Sequence, residues 1–284
     1  MAHDGFSSGF ARAEFARAEF SRTEFLGLDF TALSQAAACE AVRARAHAGG
    51  PFAYVVTPNV DHIVGLEKEP SLRARLYRDA WLTLNDSRVL ELMAQLSGVK
   101  LPVATGADLA EALLAHAIDP DEPVTIVGGD AGLIAAIAAR YRLNNVRWRQ
   151  APMGLKTNPE AIEDCAAFIA RAKARYAFIC VGAPQQEMIA RAVQRRGDAT
   201  GVGLCVGASL EFLAGRVPRA PLFLQQARLE WLWRLSAEPR RLWRRYLADG
   251  PRILPIWYYW LWSRTGDAQG AEAARASISA RNAF

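Results

Sequence analysis

Short apolar runs and longer helical segments alternate along most of the chain. Runs rich in Val, Ile, Tyr and Phe are typical of buried strands, and they occur at residues 52–57, 81–84, 124–127, 146–150, 176–181 and 202–206. Segments of helical composition separate them, at residues 31–47, 61–79, 89–96, 133–141, 158–174 and 187–195, and in a helix that carries Leu109, Leu113 and Leu114. This alternation predicts a Rossmann-like α/β fold with a mainly parallel sheet and flanking helices.

Polar side chains follow the first two predicted strands at the points where these strands end. They are Thr57, Asn59, Asp61 and His62 after the first strand, and Asn85, Asp86 and Arg88 after the second. Ligands of open α/β sheets bind beyond the carboxyl ends of the strands, so the two groups predict one shared pocket. Asp86 is a candidate general base for a hydroxyl group. A turn or cap role is the alternative, because Asp is common at such positions.

The segment Gly182-Ala-Pro-Gln-Gln-Glu187 leaves the strand at residues 176–181. The amides of Gln185 and Gln186 and the carboxylate of Glu187 suit the recognition of sugar hydroxyls or of a uracil ring. Helix capping is the alternative role for these side chains.

A glycine-rich turn, Gly128-Gly-Asp-Ala-Gly132, joins another predicted strand to a helix. Its backbone N–H groups could hold a phosphate. Its spacing is not that of the dinucleotide fingerprint, so a tight turn without a ligand is an equal alternative.

The two ends of the chain differ in composition from the predicted α/β domain at residues 28–215. A five-residue repeat fills much of residues 1–27 and builds no continuous apolar face, which predicts a flexible leader. Residues 216–264 form a basic, aromatic appendage with ten arginines, three acids and six of the eight tryptophans. The Ala-, Gly- and Ser-rich residues 265–284 are predicted to be a loose tail.

Three roles are open for this appendage. Short helices that combine arginine, tryptophan and leucine bind the membrane interface, where tryptophan lies at headgroup depth and arginine meets anionic lipid. The same composition fits an amphipathic helix packed on the core, or a nucleic-acid-binding surface. Arginine also binds diphosphates through two parallel hydrogen bonds.

Charge and cysteine content narrow the choice of compartment and partner. The net charge of +5 favours an anionic partner. The four cysteines form no CxxC pair, which favours a reducing compartment and argues against a disulfide framework or a zinc site. No apolar run reaches the roughly 20 residues of a membrane span, and no signal-peptide hydrophobic region is visible. We therefore expect a cytoplasmic protein.

The order of motifs along residues 50–250 resembles the WecG/TagA/CpsF glycosyltransferases, family 26. The segments that carry the resemblance are Thr57-Pro-Asn59, Asp86, Thr105-Gly-Ala-Asp108, Gly182 to Glu187, Gly215-Arg-Val-Pro-Arg-Ala-Pro221, Leu229 to Arg234 and Glu238 to Tyr246. The resemblance implies an inverting, metal-independent transfer of a hexose or N-acetylhexosamine, with no cofactor. It further implies a UDP-sugar donor and a polyprenyl-diphosphate-linked sugar acceptor at the inner face of the cytoplasmic membrane, in cell-surface polysaccharide synthesis. A homo-oligomer is compatible with this assignment, and nucleic acid is not an expected partner.

The resemblance also assigns residues. Asp86 matches the catalytic base of the family. The substrate-binding positions are Thr57, Asn59, Asp108, Gln185, Gln186 and Glu187, and the arginines matched to the diphosphate or lipid are Arg234, Arg241 and Arg244.

The chain departs from the family pattern at two places. Ser87 and Arg88 follow Asp86 where the family has glycine, and Pro102-Val103-Ala104 stands where it has an arginine. Arg88 is the expected substitute for that arginine in substrate binding.

Two hypotheses of other classes stay open at this point. One is a nucleotide-dependent oxidoreductase on a Rossmann-like sheet, and the other is a non-catalytic protein that binds the membrane surface. Hydrolase and NTPase motifs are absent from the sequence.

Overall fold

The computed structural model describes residues 20–217, 221, 224 and 230–264. The strands in these ranges are β1 Arg22–Phe25, β2 Leu28–Thr31, β3 Ala53–Val56, β4 Leu82–Thr83, β5 Val124–Gly128, β6 Val146–Arg149, β7 Tyr176–Cys180 and β8 Val202–Cys205. The α-helices are α1 Gln35–Ala48, α2 Val60–Lys68, α3 Pro70–Arg78, α4 Arg88–Leu96, α5 Gly106–His116, α6 Ala131–Tyr141, α7 Pro159–Ala172, α8 Gln185–Arg196, α9 Ser209–Leu213, α10 Glu230–Ala237, α11 Pro239–Trp243 and α12 Ile253–Arg264.

Six strands form one parallel sheet in the order β4-β3-β8-β7-β5-β6. The central strands are buried on both faces, which explains their nearly continuous apolar sequences. The predicted Rossmann-like α/β fold is therefore confirmed.

The helices cover both faces of this sheet. α2, α3, α4, α7, α8 and α12 contribute to the core on one face, and α1, α5, α6 and α9 to the core on the other. The helix that follows β7 thus lies on one face, whereas the helices that follow the neighbouring strands β5 and β8 lie on the other. Such a divergence opens a crevice at the carboxyl ends of the strands.

An antiparallel hairpin, β1–β2, precedes the sheet and was not predicted. Its turn residues Leu26 and Gly27 both have positive φ, at 53° and 80°, as a two-residue hairpin turn requires. Phe25 and Phe30 are fully buried in the core. The expectation of a flexible leader through residue 27 is therefore wrong for residues 22–27; residues 1–19 lie outside the described part.

The single helix predicted at residues 61–79 is two helices, α2 and α3. Pro70 begins the second one, at the position where its missing N–H costs nothing. The ring of Pro70 also disfavours helical geometry at Glu69, whose φ is −145°. The chain therefore changes direction at residue 69.

The appendage is helical and packs against the core. α10 and α11 lead into a π-helix, Arg244–Asp249, a 3₁₀ turn, Gly250–Arg252, and then α12. Ile253, Ile256 and Trp260 of α12 are buried, and the Trp260 Nε1–H donates to both carboxylate oxygens of Glu24. The predicted loose tail at residues 265–284 lies outside the described residues.

Candidate active site

Thr57 lies where β3 ends and joins three elements. Its Oγ1–H donates to the carbonyl of Cys205 in β8 over 3.3 Å, and the residue is buried. A Cβ atom at Gly106 would lie 2.8 Å from this oxygen. The first residue of α5 therefore has to be glycine for α5 to begin this close to β3.

Asp86 lies beside Thr57, at the end of β4. Its N–H donates to the carbonyl of Pro58 (3.0 Å), and its Oδ2 accepts from the N–H of Gly106 (3.4 Å). The side chain is half-buried. Asp86 therefore faces the N-terminus of α5, where the helix dipole favours negative charge. An ionised carboxylate at this position can accept a proton from a hydroxyl group.

Asn59 begins α2 and contacts His62. The Asp61 N–H donates to Asn59 Oδ1 over 3.1 Å, and His62 Nδ1 lies 2.9 Å from the same oxygen. Asn59 is therefore the N-cap of the helix, whatever else it binds.

A chain of buried polar groups connects the β7 and β8 ends to α2. Gln186 Oε1 accepts from the N–H of Gly207 (2.8 Å), and its Nε2 donates to Glu187 Oε1 (2.9 Å). The same Glu187 oxygen lies 3.9 Å from Nε2 of His62. Gln186 and Glu187 are buried, so in this structure they fix the loops that surround the site. Gln185, the first residue of α8, is half-buried and its amide faces the carbonyls of Gly182 and Ala183.

Asp108 and Arg88 lie in the first turns of two helices. Asp108 belongs to α5, and its N–H donates to the cap residue Thr105. Arg88 begins α4, and its Nη1 lies 3.8 Å from the Glu91 carboxylate. Half of the Arg88 side chain is exposed, and its substitution for the absent family arginine stays a prediction.

A cavity of about 360 Å³ lies at the carboxyl ends of β5, β7 and β8, where the crevice is expected. Its wall comprises Gly129, Leu133, Cys180, Gly182, Gly207, Ala208, Leu210, Glu211, Phe212, Val217 and Glu238. Sequence reasoning missed Glu211 and Glu238. The available signal for Glu211 was its position in the helix that follows β8, and for Glu238 its place in a motif of the appendage.

Cys180 in the cavity wall is not a candidate nucleophile. Burial raises the pKa of its thiol well above the usual range. The thiol is therefore protonated at neutral pH, and only the thiolate is nucleophilic.

The glycine-rich turn after β5 is closed by protein groups. Asp130 caps α6 by accepting from the Leu133 N–H, and it binds Arg216 through two hydrogen bonds of 2.6 and 2.8 Å. The hydrogen bonds from Arg216 are the main reason that the pKa of Asp130 lies well below its ordinary value, and the hydrogen bond from the Leu133 N–H adds to this effect. A phosphate at this helix terminus would have to compete with the Asp130 carboxylate, so the geometry favours the tight-turn alternative.

Of the three appendage arginines matched to the diphosphate or lipid, the structure describes the side chain of one. Arg244 is exposed at the start of the π-helix. The side chains of Arg234 and Arg241 lie outside the part of the chain that the structure describes, so their predicted diphosphate contacts stay predictions.

Neither a metal-binding cluster nor a membrane-spanning helix occurs in the described residues. They contain no group of three or more His, Cys, Asp or Glu side chains placed to hold a metal ion. None of the helices at residues 20–217 and 230–264 has the length and apolar content to cross a bilayer.

A parallel α/β sheet with a carboxylate and a cavity at its carboxyl edge places the chain in the class of Rossmann-like α/β proteins that bind ligands at the switch point of the sheet. The model of the glycosyl transferase WecG/TagA/CpsF family matches residues 23–267. The chain therefore belongs to this family and is a glycosyltransferase. This membership decides against the oxidoreductase and the non-catalytic hypotheses.

Proposed function

We propose that the protein is an inverting glycosyltransferase that moves a hexose or N-acetylhexosamine from a UDP-sugar to a sugar on a polyprenyl diphosphate. The product would enter cell-surface polysaccharide synthesis. The position of Asp86 carries the proposal, since this carboxylate lies at the strand edge beside Thr57 and the start of α5.

In the proposed reaction Asp86 removes the proton from the acceptor hydroxyl group as its oxygen attacks the anomeric carbon. The bond from that carbon to the UDP oxygen breaks on the opposite face, and UDP leaves with the bonding electrons. Negative charge then grows on the diphosphate, where arginines and backbone N–H groups stabilise it without a metal ion. Asp86 ends the step protonated.

The cavity at β5, β7 and β8 is the proposed donor site. Glycines at positions 129, 182 and 207 expose the backbone in its wall, which allows the close approach of a ligand. The carboxylate of Glu211 in the same wall is suited to accept hydrogen bonds from sugar hydroxyls. The side-chain oxygen of Gln186 holds Gly207 in place by accepting a hydrogen bond from its N–H.

The appendage supports the proposed location at the inner face of the cytoplasmic membrane. It carries exposed apolar side chains at Trp243, Leu247, Leu254 and Tyr258, together with its excess of arginine. This combination is typical of segments that bind the membrane interface.

A transfer assay tests the proposal. The purified protein is incubated with a panel of UDP-sugars and a short-chain polyprenyl-diphosphate-linked sugar, in vesicles and without added divalent cation. We expect UDP release that depends on the acceptor, and a product whose anomeric configuration is opposite to that of the donor. Retention of configuration would contradict the inverting mechanism, and transfer only from donors with another nucleotide would contradict the UDP assignment.

A further inference from the structure

One side of α4 is apolar and exposed although the helix belongs to the core domain. Arg88, Leu92 and Leu96 are spaced by four residues, which places them along one side of the helix. Leu92 is 36% exposed and Leu96 is 68% exposed. The opposite side packs into the core through Leu90, Met93 and Ala94. Core packing therefore explains one side of α4 and leaves the stripe with Leu92 and Leu96 unexplained.

This stripe adjoins the last helix of the appendage. Ser97 directly follows Leu96, and its Oγ accepts a hydrogen bond of 2.8 Å from Trp257 Nε1–H in α12. Next to Trp257 in the chain, Tyr258 is 54% exposed, and Leu254, one turn earlier, is 56% exposed. One exposed apolar stripe from the core and one from the appendage thus lie on the two elements that the Ser97–Trp257 contact joins.

The composition around these stripes fits an anionic lipid surface. Arg88 begins the α4 stripe, and Arg252 and Arg264 flank α12 at its two ends. Leucine and tyrosine side chains with arginines at the ends of their helices match the layers of the interface, where rings lie at headgroup depth and guanidinium groups meet lipid phosphates. A protein partner would not require the positive charge at each border.

We propose that Leu92 and Leu96 of α4 join Leu254 and Tyr258 of α12 in one membrane-contact surface, so that the core domain itself touches the bilayer. The proposal rests on the membrane location in the proposed function and adds a contact outside the appendage. The proposed surface also lies near the candidate active site, because α4 begins two residues after Asp86. With 9 residues at about 1.5 Å each, α4 spans about 13 Å between the Asp86 end and Leu96. A lipid-borne acceptor would therefore meet the carboxylate close to the bilayer surface.

Flotation of the full chain with vesicles tests this surface. The vesicles contain phosphatidylglycerol, or phosphatidylcholine alone as the neutral comparison. The double variant Leu92→Ser/Leu96→Ser removes the α4 stripe, and Met153→Ser is the matched control, because Met153 is 95% exposed and lies on a loop outside the proposed surface. We expect the double variant to lose about tenfold in partitioning to anionic vesicles, given the apolar area removed. The control should partition like the wild type.

The possible outcomes separate this inference from the proposed function. Wild-type flotation on anionic vesicles with equal flotation of the double variant would overturn the α4 contact and leave the membrane location intact. A wild type that floats with neither vesicle would overturn both. UDP binding by the double variant, measured by calorimetry, should match the wild type, and its loss would show that the substitutions act through the site and not through lipid.

Discussion

The contact between Gly106 and Thr57 predicts a strong and specific response to one added methyl group. In Gly106→Ala the new Cβ would lie 2.8 Å from Thr57 Oγ1 and 3.4 Å from Val206 Cγ1. Thr57 is buried, so its hydroxyl group can turn away only by losing the hydrogen bond to Cys205. The start of α5 would otherwise have to move, which would also separate the Gly106 N–H from Asp86.

Either response has a cost in the free energy of unfolding. Overpacking a close contact costs about 1–3 kcal/mol, and a lost hydrogen bond costs about 0.5–1.5 kcal/mol. Thr57→Ala alone should cost about 1 kcal/mol through that hydrogen bond. The double variant Gly106→Ala/Thr57→Ala should cost less than the sum of the two single variants, because the space vacated at residue 57 accepts the new methyl group.

Urea unfolding of the four proteins gives the coupling free energy directly. Gly50→Ala is the matched control, since a Cβ there meets nothing within 4 Å. It should be neutral or slightly stabilising through the unfolded chain. Equal stability of Gly106→Ala and Gly50→Ala, or strict additivity in the double variant, would refute the reasoning. The midpoint should shift at an unchanged denaturant slope.

Two further predictions concern buried and exposed carboxylates. Glu187→Ala should lower the free energy of unfolding by about 1–3 kcal/mol, because it leaves Gln186 Nε2 without its acceptor, whereas Glu187→Gln keeps an acceptor oxygen and should cost less in the same urea titration. Asp130 has a lowered pKa in the folded state, so its ion pair with Arg216 stabilises the fold above the ordinary pKa of 3.8 and this contribution is lost as the pH falls through the lowered value. Asp130→Asn should therefore reduce stability at neutral pH and flatten its decline in acid, and an unchanged acid limb would contradict this.

Much of the fold follows from local sequence patterns. The β3 and β7 sequences are apolar throughout, and Pro58 and Gly182 follow within two residues of their ends, so their position and burial are predictable. The hairpin escaped prediction for two reasons. Its turn uses Leu26 at positive φ, where Asn or Gly is usual, and its first strand, of only four residues, overlaps the end of the Phe-containing repeat. The buried ring of Phe25 also packs against Trp260, which is distant in sequence.

The site was predicted less completely than the fold. Strand ends located Thr57 and Asp86, because parallel strands bring their carboxyl ends to one edge. No local pattern shows that Gly106 contacts Thr57, or that the Gln186 amide is hydrogen-bonded to Gly207 and Glu187. The contacts of Gly106 with Thr57 and of Gln186 with Gly207 join residues that are far apart in the sequence, and they depend on strand order.

Turnover of the Asp86→Asn variant tests the central claim most directly. The variant keeps an oxygen that can accept from the Gly106 N–H, so the fold should survive while the base is lost. The account predicts a fall in kcat of about 10²–10⁴-fold, the usual contribution of a general base. Asp29→Asn, at an exposed hairpin position, should retain wild-type turnover. An Asp86→Asn kcat within about threefold of the wild type would contradict the role of Asp86 as the base.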